Sequence, residues 1–323
     1  MKILYKIFGL YCLFFGLSIG FAQENKLKLK RVDTIEIKTA LQQHITYLAS
    51  DSLQGRALGS KGYELSAAYA IKEFKSYGVV PFFTTYEDPF IAKGIDTKNI
   101  VAFIKGNDSL LSREYIVLGA HLDHIGIQKQ AVKTMDSIAN GANDNATGVS
   151  VVLSLAKHFA KIKSTKRSLI FILFGAEESG LIGSAHIANR FKELEVPIYT
   201  MLNFEMVGVP MVDKSYNAYL TGFAKSNMAD KLNSYAHKDW IGFLPKAEEY
   251  QLFKRSDNYS FYKELKIPSH TLSAFDFSNY DYYHHVDDET SHMNIDFMTA
   301  LVESIIVCVE KMANTADKEI RLN

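Results

Sequence analysis

Cysteine is scarce in this sequence, which contains only Cys12 and Cys308. Cys12 lies in an apolar N-terminal run, so the remainder of the chain has one thiol, which excludes an internal disulfide and a thiolate metal cluster. A chain of 323 residues can instead be stabilised by its hydrophobic core. An excess of one charge is also lacking: 36 basic residues balance 36 acidic ones, which gives no indication of a nucleic-acid partner or an anionic membrane surface.

Long apolar runs are lacking as well, apart from the segment from Ile7 to Phe21. A basic start precedes this segment, and Gly20-Phe21-Ala22 supplies small residues before a cleavage site, as in a secretory signal peptide. The run is shorter than the roughly 20 residues of a membrane span. We therefore expect a signal peptide over residues 1–22, one domain over 23–323, and an exported protein, periplasmic or secreted, without stable membrane insertion. The sequence does not predict an oligomeric state.

Strand-like and helix-like segments alternate along the rest of the chain, and no linker divides it. This pattern predicts an α/β fold with a central, mostly parallel twisted sheet flanked by helices. In such sheets ligands bind beyond the carboxyl ends of the strands. The predicted strands are 99–105, 115–120, 169–174, 199–207, 218–221 and 267–275, and the predicted helices are 35–50, 62–77, 148–160, 183–194, 227–237 and 295–312.

Metal-ligand residue types follow several of these strands. The segments concerned are His121-Leu122-Asp123-His124, Glu177-Glu178, Glu205 and the loop Tyr283 to Asp288, together with Asn143-Asp144-Asn145 before a helix. Taken singly, each is typical of a solvated loop or a helix cap. Together they place carboxylates and imidazoles at one edge of one sheet, where they would repel one another unless protonated or bound to a cation. Imidazole and carboxylate without thiolate favour zinc over manganese or cobalt.

Adjacent carboxylates suit chemistry at a metal pair. Because neighbours on an extended segment point in different directions, one of Glu177 and Glu178 can bind metal while the other accepts a proton from water. Asp123 lies two residues beyond His121, on the same side of an extended chain, and could orient the imidazole.

The chain resembles the cocatalytic zinc aminopeptidases of peptidase family M28, a family that includes bacterial leucyl-type aminopeptidases and is related to glutaminyl cyclases. The resemblance rests on five motifs in order, with similar spacing: AHLDHIG, GANDNATGVS, FGAEESGLIGS, MLNFEMVG and HHVDDET. LASDSLQGR and RSDNYSFYKELKIP resemble flanking family segments. The resemblance therefore implies the fold of a zinc aminopeptidase, two Zn²⁺ ions and a peptide substrate.

Carried over to this sequence, the resemblance implies a role for each motif residue. Glu177 would be the general base and Asp123 the group that orients His121. The implied metal ligands are His121, Asp144 as the bridge, Glu178, Glu205 and His285. His285 is preferred to His284 because the family's last histidine precedes a threonine by five positions, as His285 precedes Thr290. His284 is then expected to contact substrate or a metal ligand.

Two positions depart from the family pattern. Glu205 stands where aminopeptidases usually have Asp, and Asn258 stands where many relatives have His. Glu occurs at the first position in some related zinc carboxypeptidases, so a carboxypeptidase or a glutaminyl cyclase on the same scaffold remains an alternative. A metal-free binding relative is another, although such relatives normally lose ligands.

Overall fold

The computed structural model of the chain describes residues 32–128 and 136–323, and its residues from Asp33 to Asn323 form one compact unit. Nine strands make one sheet in the order β1-β3-β7-β4-β8-β11-β9-β10, with β2 paired to β3, while β5 and β6 form a separate ribbon. The strands are β1 Val80–Pro81, β2 Glu87–Ala92, β3 Ile95–Ile104, β4 Tyr115–His121, β5 Gly126–Ile127, β6 Ile138–Ala139, β7 Ser168–Phe174, β8 Ile198–Phe204, β9 Ala218–Leu220, β10 Ile241–Gly242 and β11 Ser269–Ser273.

The α-helices of the described residues pack on both faces of this sheet. Several begin with a side-chain cap: the side chains of Asp33, Ser60 and Asn294 each accept a hydrogen bond from a backbone N–H of the first turn. The helices are α1 Thr34–Leu48, α2 Lys61–Ser76, α3 Thr147–Ile162, α4 Ile182–Glu193, α5 Met228–Ala236, α6 Pro245–Glu249, α7 Asn258–Leu265 and α8 Ile295–Asn314.

Strand β7 is buried along its whole length because helices cover both of its faces. Its alternate residues Ile170, Ile172 and Phe174 pack in a cluster with residues of α4 and α7. Phe171, which points to the opposite face, contacts Phe74 of α2 with ring centroids 6.2 Å apart. A continuous apolar run in the sequence thus supplies both layers of the core.

The prediction of an α/β fold is confirmed, and the parallel part of the sheet is its centre. Strands β7, β4, β8 and β11 are mutually parallel neighbours, whereas β1, β2 and β7 each pair antiparallel with β3, and β9 pairs antiparallel with β11. The hairpin of β2 and β3 turns at Lys93-Gly94, both of which have positive φ, as a tight hairpin requires. The prediction missed β2.

Among the helices of the described residues, none is both long and apolar enough to span a membrane. The predicted signal peptide, residues 1–22, and the domain start at 23 lie outside the described residues and stay predictions.

Candidate metal centre

The parallel strands end together and bring the predicted residues to one edge of the sheet. His121 is the last residue of β4 and pairs with Phe174, the last residue of β7. Glu177 and Glu178 follow β7 in a turn closed by N–H groups of Gly180 and Leu181, which donate to the carbonyl of Glu177. Glu205 follows β8 directly, and its N–H donates to Leu272 of β11.

The carboxylate of Asp144 lies between imidazoles on two sides. Its Oδ1 is 3.2 Å from Nε2 of His121, and its Oδ2 is 3.2 Å from Nε2 of His284. Burial raises the pKa of Asp144, but these imidazoles outweigh that effect and hold the pKa well below its usual range. A carboxylate that presents one oxygen to each side has the geometry that the predicted bridging role needs.

His121 has the arrangement of a metal-ligating histidine. Its Nδ1 lies 3.0 Å from the backbone carbonyl oxygen of Asp123, so Nδ1 carries the proton and Nε2 has the free lone pair. Nε2 is buried and makes no hydrogen bond within the described residues, although Asp144 is close. A buried lone pair beside a carboxylate oxygen, without hydrogen-bond geometry between them, fits a shared cation.

Asp123 orients both His121 and the two glutamates. The prediction gave its carboxylate to the imidazole, but it is the backbone carbonyl that contacts His121. The carboxylate instead accepts hydrogen bonds from the N–H groups of Glu177 (3.0 Å) and Glu178 (3.2 Å). Asp123 therefore fixes the backbone of the two glutamates, and the imidazole as well.

Glu177 has the surroundings of a proton acceptor. The described part of the chain offers its carboxylate no hydrogen-bond partner. Burial raises the pKa of Glu177 well above its usual range, and the charges of Glu205, Asp257 and Glu178 raise it further, against the effect of His121. A carboxylate with a raised pKa and no partner is available to take a proton from water.

Glu205 lies on the His121 side of the centre. It accepts a short hydrogen bond from the hydroxyl of Ser256. Burial raises the pKa of Glu205 to about 7, although His121 opposes the shift. Its neighbour Asp257, which the prediction missed, is fully buried, makes no hydrogen bond through either oxygen within the described residues, and has a pKa raised by burial to about 7.

The last predicted ligand falls one residue earlier than expected. Nε2 of His284 lies 3.2 Å from Asp144 Oδ2 and 3.2 Å from Glu178 Oε2. The side chain of His285 is 51% exposed, and its Nδ1 accepts a hydrogen bond from the N–H of Asp287. The geometry therefore favours His284 over His285, because the left-handed backbone of His284 (φ 57°) turns that side chain toward the carboxylates.

Charge around His284 indicates how strongly this side of the centre attracts a cation. Burial lowers the pKa of His284, but Asp144 and Glu178 outweigh it and raise the pKa to about 10. The ring also stacks on Tyr283, with centroids 4.0 Å apart. Two carboxylates thus converge on one imidazole nitrogen.

His124 is a further imidazole at this edge that the prediction missed. Its Nδ1 lies 3.0 Å from Glu178 Oε1 and 3.7 Å from Asp144 Oδ2. Among the described residues, His124, Asp144 and Glu178 form the one group of three metal-ligand types whose ligand atoms all lie within 4.8 Å of one another. The position of His124, three residues after His121, was the only feature of the sequence that could have indicated its place at this edge.

Asp288 positions the bridging residue Asp144, a role that the sequence analysis did not predict. Its Oδ1 accepts from the N–H of Asn143 (2.7 Å) and its Oδ2 from the N–H of Asp144 (3.0 Å). Tyr280 also donates to Oδ1 of Asp288, at 2.6 Å. The loop that carries His284 therefore also holds the backbone of Asp144.

Asn258, the second position that departs from the family pattern, is bound within the fold. Its Oδ1 accepts from Thr271 at 2.8 Å, and its amide nitrogen is within 3.4 Å of the carbonyl oxygens of Phe253 and Ser269. Because its side chain is fully buried, it connects α7 to β11 rather than facing the centre.

Arg56 is a buried cation behind the centre. Its guanidinium donates to the carbonyl oxygens of Leu48, Leu122, Asn140 and Gly141. Burial lowers the pKa of Arg56 to about 10, against the charges of Asp288, Asp144, Asp123 and Glu178. Since its hydrogen bonds go to carbonyl groups, the carboxylates keep their own capacity for a cation, and the imidazole and carboxylate donors without thiolate fit zinc.

Comparison with known proteins agrees with this geometry. Residues 99–309 match the model of Peptidase family M28. This chain belongs to that family.

It is 32% identical over 177 residues to leupeptin-inactivating enzyme 1 of Streptomyces exfoliatus, a match that covers 54% of this chain and 36% of that protein. It is 27% identical over 225 residues to a probable leucine aminopeptidase of Trichophyton verrucosum, covering 67% of this chain and 56% of the relative. The M28 chain thus spans between about a third and somewhat over half of the length of these two relatives.

Solved structures show the same fold at lower identity. A zinc aminopeptidase from Bacillus subtilis aligns with a TM-score of 0.66 at 15% identity, covering 87% of this chain and 96% of that one. Porphyromonas gingivalis glutaminyl cyclase aligns with a TM-score of 0.64 at 16% identity, covering 86% and 98%. Zinc aminopeptidases and a glutaminyl cyclase therefore share this M28 fold.

Proposed function

We propose that this M28 protein is a zinc-dependent aminopeptidase that removes N-terminal residues from peptides. The observation that carries the proposal is Asp144, whose two oxygens face His121 on one side and His284 on the other. His121, Asp144 and Glu205 would hold one Zn²⁺ ion. Asp144, Glu178 and His284 would hold the second, and Asp144 would bridge the pair.

The residues of the chain divide the hydrolytic work between them. Bound zinc supplies Lewis acidity, which lowers the pKa of a water molecule and polarises the carbonyl group of the scissile bond. Glu177 takes the proton as that water attacks and passes it to the nitrogen of the leaving amine. The carboxylate of Asp123 accepts a hydrogen bond from the backbone N–H of Glu177 and so keeps that residue in place. The general base therefore does not have to be ordered during the reaction.

The charge of the site supports an aminopeptidase over a carboxypeptidase. A free N-terminus carries a positive charge, which the carboxylates of Glu178 and Glu205 would attract. A free C-terminus carries a negative charge, and Arg56, the cation behind the centre, is buried and bound to carbonyl groups. Glu205 in place of Asp therefore does not by itself indicate a carboxypeptidase.

A substrate panel on the zinc-loaded protein tests the proposal. The panel contains aminoacyl, N-blocked C-terminal and glutaminyl peptides, and each reaction is repeated after chelation and after zinc is restored. We expect zinc-dependent release of N-terminal residues. Release of C-terminal residues alone, or cyclisation of glutaminyl peptides alone, would replace this function with one of the alternatives, and lack of zinc binding would favour a metal-free binding relative.

A further inference from the structure

Glu178 is held at both carboxylate oxygens, and only one of its contacts belongs to the proposed ligand set. Oε2 lies 3.2 Å from Nε2 of His284, on the side of Asp144. Oε1 lies 3.0 Å from Nδ1 of His124, with hydrogen-bond geometry. The His124 side chain is fully buried, so its contact with Glu178 is shielded from water.

The two nitrogens of His124 distinguish a hydrogen-bond donor from a metal ligand. An ionised carboxylate only accepts, so Nδ1 carries the proton in the bond to Glu178. Nε2 is buried and makes no hydrogen bond within the described residues. A metal on Nδ1 would place the proton on Nε2 and leave a buried donor unpaired, which is unfavourable.

His121 provides the contrast. Its Nδ1 is bonded to the carbonyl of Asp123, and its free nitrogen faces Asp144, which is the usual arrangement of a ligand. In His124 the nitrogen that faces the carboxylates is the one that donates, and the opposite nitrogen has no acceptor that would fix the other tautomer. Two imidazoles three residues apart thus have opposite orientations of donor and lone pair.

We propose that His124 is a positioning residue: its Nδ1–H holds Oε1 of Glu178, so that Oε2 faces the metal position shared with Asp144 and His284. This inference rests on the proposed zinc function. Because the hydrogen bond orients Glu178 before any cation arrives, less ordering is needed on binding. His124 would therefore raise the zinc affinity of the Glu178 position without binding zinc itself.

Gly141 packs closely against both Asp144 and the His124 ring. A Cβ atom at position 141 would lie 2.3 Å from the backbone oxygen of Asp144, 2.5 Å from Cδ2 of His124 and 2.7 Å from its Cγ, which no real side chain tolerates. The positive φ of Gly141 (62°) suits glycine as well, and its carbonyl accepts from Arg56. The lack of a side chain at position 141 therefore lets the His124 ring and the backbone of Asp144 lie against the same residue.

Two substitutions of similar size separate the donor role from a ligand role. Asn in His124→Asn retains an N–H donor at about the position of Nδ1, whereas Leu in His124→Leu keeps the bulk and removes the donor. Zinc dissociation constants are measured on the full protein by chelator competition, zinc content by elemental analysis, and coordination by the visible spectrum of the cobalt-substituted protein. His270→Ala removes another buried imidazole, one bonded to Ser226 and Thr221, and serves as the control.

We expect His124→Leu to weaken zinc at one position by about 10–100-fold, as for other groups that orient a ligand. His124→Asn should stay within about threefold of the unsubstituted protein, and the cobalt spectrum should keep its shape in both variants. Equal weakening by Asn and Leu, with an altered cobalt spectrum, would show that His124 is a ligand and overturn the proposal. Unchanged affinity in His124→Leu would also overturn it.

Separate measurements test the peptidase function and the role of His124, so one proposal can fail without the other. Hydrolysis of the substrate panel is scored on the unsubstituted protein, whereas His124 is judged from zinc affinity and the cobalt spectrum. Circular dichroism of each zinc-free variant identifies one that does not fold, and in that event His124→Asn alone decides: affinity within about threefold supports a donor, and loss of zinc overturns it.

Discussion

Buried carboxylates in two regions of the described structure, on β2 and at the carboxyl edge of the sheet, are treated in opposite ways. Asp88 on β2 is fully buried and accepts hydrogen bonds from Asn99 and Arg190, with Nε2 of His186 at 3.4 Å. Burial alone would raise the pKa of Asp88, but these partners outweigh it and lower the pKa. Asp88 is therefore neutralised within the fold.

At the carboxyl edge of the sheet, imidazoles neighbour Asp144 and Glu178, but other buried carboxylates have no cationic partner of this kind. Burial raises the pKa of Asp123 to about 6 and the pKa values of Glu205 and Asp257 to about 7. Arg56 lies behind this group but bonds to carbonyl oxygens. The fold thus pairs Asp88 with an internal cation, whereas at the edge it leaves carboxylates whose charged form is unfavourable until a cation binds.

The largest expected effect is on kcat and comes from substitution of Glu177, the carboxylate at this edge that has no hydrogen-bond partner within the described residues. Glu177→Gln should lower kcat by about 10²–10⁴-fold, because the amide cannot accept the proton, while zinc content stays the same. Steady-state kinetics and elemental analysis measure the two quantities, and Glu193→Gln on the exposed side of α4 is the control. Full activity in Glu177→Gln would assign the base to another residue.

A matched pair of histidines tests how far the edge depends on its imidazoles. His284→Ala should lose zinc from the Glu178 position, since two carboxylates converge on that ring. His285→Ala should retain zinc, because its ring is exposed and paired with Asp287. Zinc content after dialysis distinguishes them, and the opposite result would restore the ligand that was predicted from the spacing to Thr290.

A comparison of stability tests the difference between the two carboxylate sites directly. Asp88→Asn should lower the free energy of unfolding by about 2 kcal/mol with or without zinc, less than for a fully buried pair because Arg190 is partly exposed. Glu205→Gln should leave the zinc-free protein no less stable and reduce the stabilisation that zinc provides. Denaturant titrations in zinc and in chelator measure both. Equal losses in the two variants under chelator would remove the distinction.

The smallest expected effect is a pH dependence. Because burial raises the pKa values of Glu205 and Asp257, their contribution to stability is fully present below the unfolded values near 4 and is lost as pH rises through about 7. In the zinc-free protein the contribution of these two carboxylates is therefore lost over this range, whereas the buried His44, His158 and His270, whose pKa values burial lowers to about 4, contribute in the opposite direction. Asp257→Asn, which removes one of the two carboxylates, should therefore fall less steeply in stability between pH 4 and 7 than the unsubstituted protein. Asp88, whose pKa is lowered, contributes in the opposite direction, with stability lost only in acid. Identical zinc-free profiles for Asp257→Asn and the unsubstituted protein between pH 4 and 7 would contradict the raised pKa of Asp257.

The sequence predicted which strand ends carry the chemistry, because ligands of parallel sheets gather at one edge and the apolar runs before His121, Glu177 and Glu205 are unmistakable. It could not separate His284 from His285, since the choice depends on one left-handed residue in a loop. His124, Asp257 and Asp288 act through contacts with residues far away along the chain, such as Glu178 with His124. No local pattern encodes such pairings. Asp123 contacts His121 as predicted, but through its backbone carbonyl, because the N–H groups of Glu177 and Glu178 bind its carboxylate.

The contact of Asp288 with the backbone of Asn143 and Asp144 has a consequence for biosynthesis. The bridging carboxylate is encoded near the middle of the chain, but the groups that hold its loop and complete its surroundings, His284 and Asp288, come close to the end. A nascent chain that stops before residue 284 would have Asp144 without either. We therefore expect the zinc position shared by Asp144, Glu178 and His284 to be completed late, after synthesis of nearly the whole polypeptide.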